Sequence, residues 1–426
     1  MRGYNECMSD NVRDVHTTTC CVVGGGPGGA LLALLLARQG ISVVLLEAHL
    51  DFDREFRGDT LHPAILEILD EIGLSERLHE RRHVKVYGPT FPTADGPFMP
   101  FDFRALKTKF PYIMLIHQPL FLELLVEEAK KYPQFRLVMG ANVQRLVEEN
   151  GVVHGVRYRG ADGWHEVRAL LTVGADGRFS RLRHLGGFQP IQTSDPLELL
   201  WFRLPRLPED PPESTGVSPR QCKGRLMVIL DRFEHYQLGY FFPHGHYQDL
   251  RAAGLEDLKR NIVELEPRFT HHVAHLTDWN QFSVLAVASN RCPRWYKPGL
   301  LLIGDAAHTM TPAAGAGIKY AVEDAVVAHN ELTDPLKAGR VPLSALAEIQ
   351  RQREWPTRII QLFGAIAVRQ IFSRALRPNH DVRAPRWLWW LLRIPLVRKI
   401  PALFVAFGFW RVHVRDPQPH AAEVQR

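Results

Sequence analysis

The stretch from residue 17 to residue 47, TTTCCVVGGGPGGALLALLLARQGISVVLLE, decides the fold class. An apolar β-branched run ends in a glycine-rich loop, an apolar helical pattern follows, and a second apolar run ends in the acid Glu47. In such a unit Gly24 permits the tight turn, Gly26 lets the backbone approach a pyrophosphate, and Gly29 lets helix and strand pack closely. The N-terminus of the helix presents free N–H groups and positive partial charge to the phosphates. The stretch therefore predicts a dinucleotide-binding α/β unit.

The kind of dinucleotide follows from Glu47 and from the chain beyond it. Glu47 stands about 18 residues after Gly29, close to the spacing of an acid that binds a ribose 2′-hydroxyl. Its charge would repel a 2′-phosphate, so FAD or NAD suits this site and NADP does not. After residue 133, short alternating runs divided by ENG and GADG indicate a β-meander. The second strand–helix half of a plain NAD dehydrogenase is therefore not predicted.

Two further motifs make the pattern specific. VGADGRFSRLR (173–183) is a strand-to-helix turn, and GDAAHTMTP (304–312) follows the apolar run GLLLI. Together with the first loop, in this order from about residue 17 to about residue 330, they resemble the single-component (class A) FAD-dependent monooxygenases of the p-hydroxybenzoate hydroxylase type. FRGDTLHPAILEILDEIGL (56–74) and HQPLFLELLVEEA (117–129) also resemble stretches of that family.

The resemblance implies an α/β fold, with a Rossmann-like FAD-binding domain and its β-meander interleaved with a mixed β-sheet substrate domain. We expect the FAD-binding domain over 17–86, 111–187 and 283–375, and the substrate domain over 87–110 and 188–282. Residues 1–16 are expected to be a disordered extension. Residues 376–426 are expected to form a helical segment rich in basic and aromatic residues.

The resemblance also implies a role for each matching residue. The pyrophosphate would lie on Gly24, Gly26 and Gly29, with the adenosine ribose on Glu47. Further cofactor contacts are expected from Arg57, Gln118, Asp176, Asp305, Gly315, Gly317 and Ile318, and His308 with Pro312 would flank the isoalloxazine ring. In this interpretation a strand ends at Ile303, Asp305 faces the ribityl chain or phosphate, and a helix beginning near Gly315 directs its dipole at the flavin.

One position departs from the family pattern. Lys319 stands where members usually carry Asn. Its charge would favour reduced flavin if the side chain faced the ring, and pointing to solvent is the equal alternative.

Strand signals between about 188 and 282 predict a sheet with one covered face. The resemblance implies that this sheet covers the substrate pocket, and the first candidates for substrate contact are Trp201, Arg203, Tyr240 and Phe242. Ordinary core packing is the competing interpretation for each aromatic residue. The Pro-rich stretch 203–224 is typical of a mobile loop.

Composition narrows the function classes. The net charge of +6 comes from seven Lys and Arg and no acid between Arg383 and Arg415, and the rest of the chain sums to −1. This distribution disfavours a nucleic-acid binder. Five cysteines without metal-ligand spacing indicate reduced thiols and a cytoplasmic setting, and the polar N-terminus lacks the apolar core of a signal peptide. We predict no metal site and name no protein base, although His62, His117 and His308 are candidates.

Residues 384–413 combine aromatic, aliphatic and basic side chains, and their longest charge-free run is too short to span a bilayer. A helical segment packed on the FAD domain is favoured over a peripheral contact with a membrane interface.

The resulting prediction is an FAD-dependent monooxygenase. It would use NADH or NADPH and O2 to hydroxylate a small hydrophobic aromatic or polyketide-like molecule through a flavin hydroperoxide. A flavin-dependent reductase of lipid double bonds, of the geranylgeranyl reductase type, is the alternative. A halogenase and a non-enzymatic relative of the prenyl-GTPase escort proteins are further alternatives.

Overall fold

A computed structural model describes residues 12–53, 59–93, 96–194, 197–211, 216–232, 235–287, 289–311, 315–369, 376 and 394–415. The strands in chain order are β1 Val12–Val23, β2 Val43–Glu47, β3 Thr60–Leu61, β4 His83–Val86, β5 Phe91–Thr93, β6 Gly96–Phe98, β7 Ile113–Ile116, β8 Phe135–Met139, β9 Asn142–Glu149, β10 Val152–Gly160, β11 Gly163–Gly174, β12 Ile191–Gln192, β13 Leu197–Pro205, β14 Val217–Cys222, β15 Arg225–Asp231, β16 His235–Pro243, β17 Ser283–Val287, β18 Asn290–Arg291, β19 Tyr296–Lys297, β20 Leu300–Leu302 and β21 His308–Thr309.

The α-helices are α1 Pro27–Arg38, α2 Pro63–Glu71, α3 Ser75–His79, α4 Gln118–Ala129, α5 Arg181–Leu185, α6 Tyr247–Ala253, α7 Leu255–Leu265, α8 Gly317–Lys337, α9 Leu343–Ala367 and α10 Pro395–Phe407. Short 3₁₀ helices cover Phe103–Ala105, Pro267–Thr270, His272–His275, Trp279–Gln281 and Gly304–Ala306.

The central sheet has the order β19-β20-β11-β1-β2-β8, and β9 and β10 continue antiparallel from β11 as the expected meander. Strand β1 lies parallel to both β2 and β11. The side chains of β1 alternate between two cores. Cys20 and Val22 lie in the core on the side of α1 and α8, and Cys21 and Val23 lie in the core on the side of the meander. A parallel strand buried on both faces is a continuous apolar run, which is why CCVV needs no polar alternation.

Two boundaries differ from the sequence prediction. Strand β1 begins at Val12 and pairs with β11, so residues 12–16 are part of the sheet rather than of a disordered extension. Strand β17 pairs with β13, which places residues 283–287 in the second sheet although they were assigned to the FAD-binding domain. In both cases the pairing strand lies more than 80 residues away in sequence, and local patterns do not report such partners.

The second sheet is antiparallel, with the order β14-β15-β16-β13-β17. Strand β14 lies inside the stretch 203–224 that the sequence indicated as a loop. One face of this sheet packs on α7 and the 3₁₀ helices that follow it. The other face meets Val368 and Leu376 near the end of α9.

Helices α8 and α9 pack on each other, and α8 lies on α1. Helix α10 packs against α2 and the 3₁₀ helix Phe103–Ala105 through Ala402, Ala406 and Phe407. Among the described helices, none combines the length and apolarity needed to cross a membrane.

Candidate functional site

The glycine-rich loop forms a narrow cradle at the N-terminus of α1. Gly24 has a φ of +105°, and a Cβ there or at Gly29 would overlap backbone atoms of the loop and of Ala175. A Cβ at Gly28 would lie 2.8 Å from the carbonyl oxygen of Ala321, at the start of α8. Gly26 is the N-cap of α1 and has no side chain to cap the helix. The first N–H groups of α1 are therefore available to an anionic ligand.

Glu47 closes one side of this cradle at the end of β2. Its side chain is buried, and its carboxylate accepts the N–H of Gly25 at 2.8 Å and the N–H of His49 at 3.0 Å. These two bonds fix the orientation of the carboxylate at the edge of the glycine-rich loop, where it can accept from a hydroxyl donor.

The 173–183 turn lies against the 304–306 turn. Asp176 accepts the hydroxyl of Ser180 at 2.5 Å and the N–H of Leu182 at 3.0 Å, and burial raises its pKa despite these bonds. The guanidinium of Arg183 donates to the carbonyl oxygens of Asp305 and Ala306 at 3.3 and 3.2 Å. Asp176 therefore holds its own turn together, and Arg183 joins that turn to the one that carries Asp305.

Asp305 lies at the open edge of this arrangement. Its side chain is about one-third exposed, and the guanidinium Nε of Arg178 lies 3.9 Å from its carboxylate. Strand β20 ends at Leu302, one residue before the predicted end at Ile303. The carboxylate of Asp305 therefore lies two residues beyond the predicted strand end, at a partly exposed position.

Helix α8 begins at Gly317, with Ala316 as an N-cap that makes no side-chain hydrogen bond. Gly317 and Ile318 are its first two residues, and Gly315 precedes them with a φ of +59°. The carbonyl oxygen of Gly315 accepts the hydroxyl of Thr60 at 3.1 Å. The uncapped N–H groups of α8 are a second place that favours negative charge.

The predicted flavin-flanking role of His308 does not fit its position. His308 is 1% exposed, its Nε2 donates to Asp324 at 2.6 Å, and its ring lies 4.7 Å from that of Trp295. A side chain that flanks a bound ring must be accessible when no ligand is present. We therefore correct this assignment: His308 is a positioning residue beneath the 304–311 turn. Pro312, its predicted companion, lies outside the described residues, as does Arg57.

A buried charge network lies behind the same turn. Asp324 accepts the N–H of Gly304 at 2.9 Å and the Nε of Arg353 at 2.7 Å, and Arg353 also donates to Glu323 at 2.6 Å. Burial alone would raise the pKa of Asp324, but His308 and Arg353 together hold it below its ordinary value. The network ties the turn that carries Asp305 to helices α8 and α9.

Lys319 does not point to solvent, because only 2% of it is exposed. In the described part of the chain its ammonium makes no ion pair within 4 Å, and its Nζ lies 5.2 Å from the centre of the Tyr320 ring. Burial lowers the pKa of Lys319, with Glu323 opposing this effect and Arg353 adding to it. Together with burial, its charge lowers the pKa of the neighbouring His62 to about 4.

A positive cluster lies where the second sheet meets the N-terminus of α4. Gln118, the first residue of α4, is buried, and its N–H donates to Asp59 at 3.1 Å. Asp59 also forms an ion pair with Arg232 at the end of the β15–β16 hairpin. Burial, together with the charges of Arg232, Arg203 and His117, lowers the pKa of His235 to about 4. Such a cluster favours a bound anion, for example a nucleotide phosphate.

The four predicted substrate residues divide between the two faces of the second sheet. Trp201 lies with Leu199 on the face that meets the end of α9, and Arg203 follows on the same face, where its Nε donates to Gln237 at 3.2 Å. Tyr240 and Phe242 lie in the core beneath α7, and burial raises the pKa of Tyr240 to about 12. Alternation along a strand explains the split. For Tyr240 and Phe242 the substrate assignment is wrong, and core packing is correct.

Sequence reasoning missed Arg178, Asp324, Arg353, Asp59 and His235. The charged residues of α8 and α9 gave one usable signal, because ED at 323–324 and Arg353 interrupt apolar helical patterns. The sequence does not predict that Arg353 pairs with these two acids, since they stand 29 and 30 residues before it. Arg178 stands inside a motif that the sequence did identify.

These features fit FAD. The cradle admits no Cβ at Gly24 or Gly29, two helices present uncapped N-termini, and the acids Glu47 and Asp305 stand as acceptors for sugar-like hydroxyls. A dinucleotide with a pyrophosphate and a polyhydroxyl chain needs this donor and acceptor set.

The chain belongs to the family described as FAD binding domain, whose model matches residues 17–355. It is an FAD-dependent monooxygenase. It is 35% identical to 6-methylpretetramide 4-monooxygenase of Streptomyces rimosus over 388 residues, which cover 90% of this chain and 91% of that one. It is 27% identical to anhydrotetracycline monooxygenase of the same organism over 67% of this chain and 59% of that one.

A solved structure agrees on the fold. The probable FAD-dependent monooxygenase PqsL of Pseudomonas aeruginosa superposes with a TM-score of 0.70 and 22% identity, over 85% of this chain and 98% of that one. The relatives support the monooxygenase over the reductase, the halogenase and the non-enzymatic alternative that the sequence left open.

Proposed function

We propose that the chain hydroxylates an aromatic polyketide, with O2 and NADH or NADPH as co-substrates. The observation that carries this proposal is the similarity to 6-methylpretetramide 4-monooxygenase along nine-tenths of both chains. Similarity over that length includes the second sheet, on which the substrate is expected to lie, as well as the cofactor cradle. The proposal also places the enzyme in the cytoplasm, since the described cysteines are free thiols.

The residues divide the work as follows. Gly24, Gly26, Gly29 and the N-terminus of α1 hold the pyrophosphate of FAD, Glu47 holds the ribose, and Asp305 holds the ribityl chain. The first N–H groups of α8, at Gly317 and Ile318, face the pyrimidine end of the flavin. The bound flavin supplies the redox and oxygen chemistry, and the protein orients the substrate and excludes water.

The substrate lies on the face of the second sheet that carries Trp201 and Arg203. Trp201 supplies an aromatic surface there, and Arg203 a positive group that Gln237 holds in position. A polycyclic aromatic ring system packs on Trp201, and a phenolate or enolate oxygen accepts a hydrogen bond from Arg203.

The nicotinamide co-substrate docks at the 173–183 turn. Phe179, within this turn, is 91% exposed, and Arg178 precedes it in the chain. An exposed aromatic ring next to a guanidinium suits a nucleotide base and its phosphates.

The experiment is anaerobic reduction of the FAD-loaded protein by NADPH and by NADH, with and without 6-methylpretetramide, followed at the flavin absorbance maximum. The proposal expects reduction by one of the two nucleotides and at least tenfold faster reduction when the tetracyclic compound is present. A simple phenol of similar acidity serves as the control substrate. Equal reduction rates with 6-methylpretetramide, with the phenol and with neither would overturn the proposed substrate class. Absence of reduction by either nucleotide would overturn the proposed co-substrate.

A further inference from the structure

The solvent-facing side of α9 is apolar along its second half. Trp355, Leu362, Phe363 and Ile366 recur at helical spacing, and each is about half or more exposed. A solvent-facing stripe of a surface helix is ordinarily polar.

Helix α10 extends this surface. Ala402, Ala406 and Phe407 on one side of α10 are buried in the core, while Ile400 and Leu403 on another side are 66% and 44% exposed. Apart from Arg398 and Lys399 the residues of α10 are apolar, and an apolar helix surface is normally buried. Half of α10 therefore lacks an apolar partner within the part of the chain that the structure describes.

Aromatic contacts join the two helices into one surface. The ring of Phe404 lies 4.8 Å from that of Phe363 on α9 and 5.1 Å from that of Phe409. Phe409 and its neighbour Trp410 are themselves more than half exposed. We call this surface, from Trp355 along α9 to Trp410 after α10, the aromatic face. Contiguous exposed apolar patches of this kind mark interaction sites.

The two segments that form the aromatic face carry charges of one sign. Residues 355–369 and 394–415 contain Lys and Arg but no Asp or Glu, and residues 383–415 hold seven basic residues without an acid. Acids outside these two ranges pair with three of the described basic side chains, in the pairs Arg358–Glu354 within α9, Arg411–Glu67 and Arg415–Glu331. The two ranges hold six basic residues against these three acids, so the surface keeps a net positive charge.

We propose that the aromatic face docks on an anionic lipid bilayer. Interfacial segments combine Trp, Phe and Leu with Lys and Arg in this way. A second copy of the chain fits less well, because a symmetric contact would bring the basic residues of both copies together. With 13 residues α10 is about 20 Å long, too short to cross a bilayer, so it lies in the membrane plane.

The aromatic face adjoins the cofactor site. The imidazole of His62 lies between the carbonyl oxygen of Val405 on α10, 2.9 Å from Nδ1, and that of Gly315 before α8, 3.1 Å from Nε2, and in its neutral form it donates to one of the two. Docking would therefore bring Gly315, two residues before α8, close to the bilayer, from which a hydrophobic substrate can enter. The docking itself does not depend on the proposed substrate.

The test is co-flotation of the full FAD-loaded chain with vesicles of phosphatidylcholine alone or of phosphatidylcholine with about one-third phosphatidylglycerol. We expect binding to the anionic vesicles at low salt, at least tenfold weaker binding to the neutral ones, and a severalfold loss at about 0.5 M NaCl. The double variant Leu362→Glu/Ile400→Glu should lose binding at least tenfold while keeping its FAD and melting temperature, since both side chains are exposed.

The matched control is Leu343→Glu, which makes the same change at a half-exposed leucine at the first residue of α9, 12 residues before Trp355 and about 18 Å along the helix from it, and should bind as the parent does. Absence of the parent from both kinds of floated vesicle would overturn the proposal. Equal, salt-insensitive binding to neutral vesicles would overturn its electrostatic part. A concentration-dependent dimer that Leu362→Glu/Ile400→Glu abolishes, without vesicle binding, would assign the face to self-association instead.

Discussion

Replacing Arg353 by Met should destabilise the protein by about 3–4 kcal/mol, and the reason lies in the two acids that Arg353 joins. Its guanidinium bonds Asp324 at 2.7 Å and Glu323 at 2.6 Å, and all three side chains are at most 3% exposed. Breaking a buried ion pair by removing one partner costs about 3–5 kcal/mol, because the other charge stays desolvated.

An upper limit comes from protonation. Asp324 keeps the N–H of Gly304 and His308 as donors, so Glu323 bears most of the loss. Protonating a carboxyl of ordinary pKa near 4.3 at pH 7 costs about 3.7 kcal/mol, which limits the penalty for one stranded acid. Met fills most of the volume of the Arg stem, so little cavity cost is added.

The same helix provides a control. Arg358 pairs with Glu354 at 2.6 Å, but its side chain is 49% exposed. Arg358→Met should therefore cost less than about 1 kcal/mol. Urea unfolding of the FAD-free variants, followed by far-UV circular dichroism, measures both changes. Similar losses for the two variants, or less than about 1 kcal/mol for Arg353→Met, would refute the view that a buried network holds the 304–311 turn.

Three other changes follow from the same geometry. The pKa of His62 is about 4 in the folded protein, against 6.5 in the unfolded chain. Its contribution to the unfolding free energy is therefore complete above pH 6.5 and declines by up to about 1.4 kcal/mol per pH unit between pH 6.5 and pH 4. In urea unfolding, the free energy of His62→Gln should depend less on pH than that of the parent, and parallel profiles would contradict this. Gly29→Ala should purify without FAD, because a Cβ at this position overlaps the loop backbone. The control is Gly73→Ala, which should retain FAD, since Gly73 has a φ of +75° but no neighbour that a Cβ would meet. The ratio of flavin to protein absorbance measures both, and a yellow Gly29→Ala protein would argue against the cradle. Lys319→Met should raise the unfolding free energy of the FAD-free protein by about 1 kcal/mol, since it removes a buried cation without an ion pair in the described structure; a loss of stability would reveal a partner for the ammonium.

The cofactor cradle could be predicted from sequence because its determinants are local. Gly24, Gly26 and Gly29 stand within six residues, and the backbone of the turn admits no Cβ at Gly24 or Gly29. The end of β20 and the start of α8 were likewise predicted to within two residues.

The faces of the second sheet could not be predicted in the same way. Alternation shows that Tyr240 and Phe242 share a face and that Trp201 and Arg203 share one, but not which face a helix covers. That information resides in α7, whose own apolar stripe selects the face of Tyr240. The predicted flavin-flanking role of His308 was wrong for a related reason. Its place in the motif did not show that Asp324 would bind its imidazole from the other side of the turn.

The monooxygenase activity is tested most directly by turning over the FAD-loaded protein with NADPH or NADH and 6-methylpretetramide under ¹⁸O2, and analysing the product by mass spectrometry. We expect a product that carries one added oxygen atom, and this atom is ¹⁸O. A product with two added hydrogens and no oxygen, a product whose oxygen comes from water, or consumption of the nucleotide with only hydrogen peroxide formed would contradict this expectation.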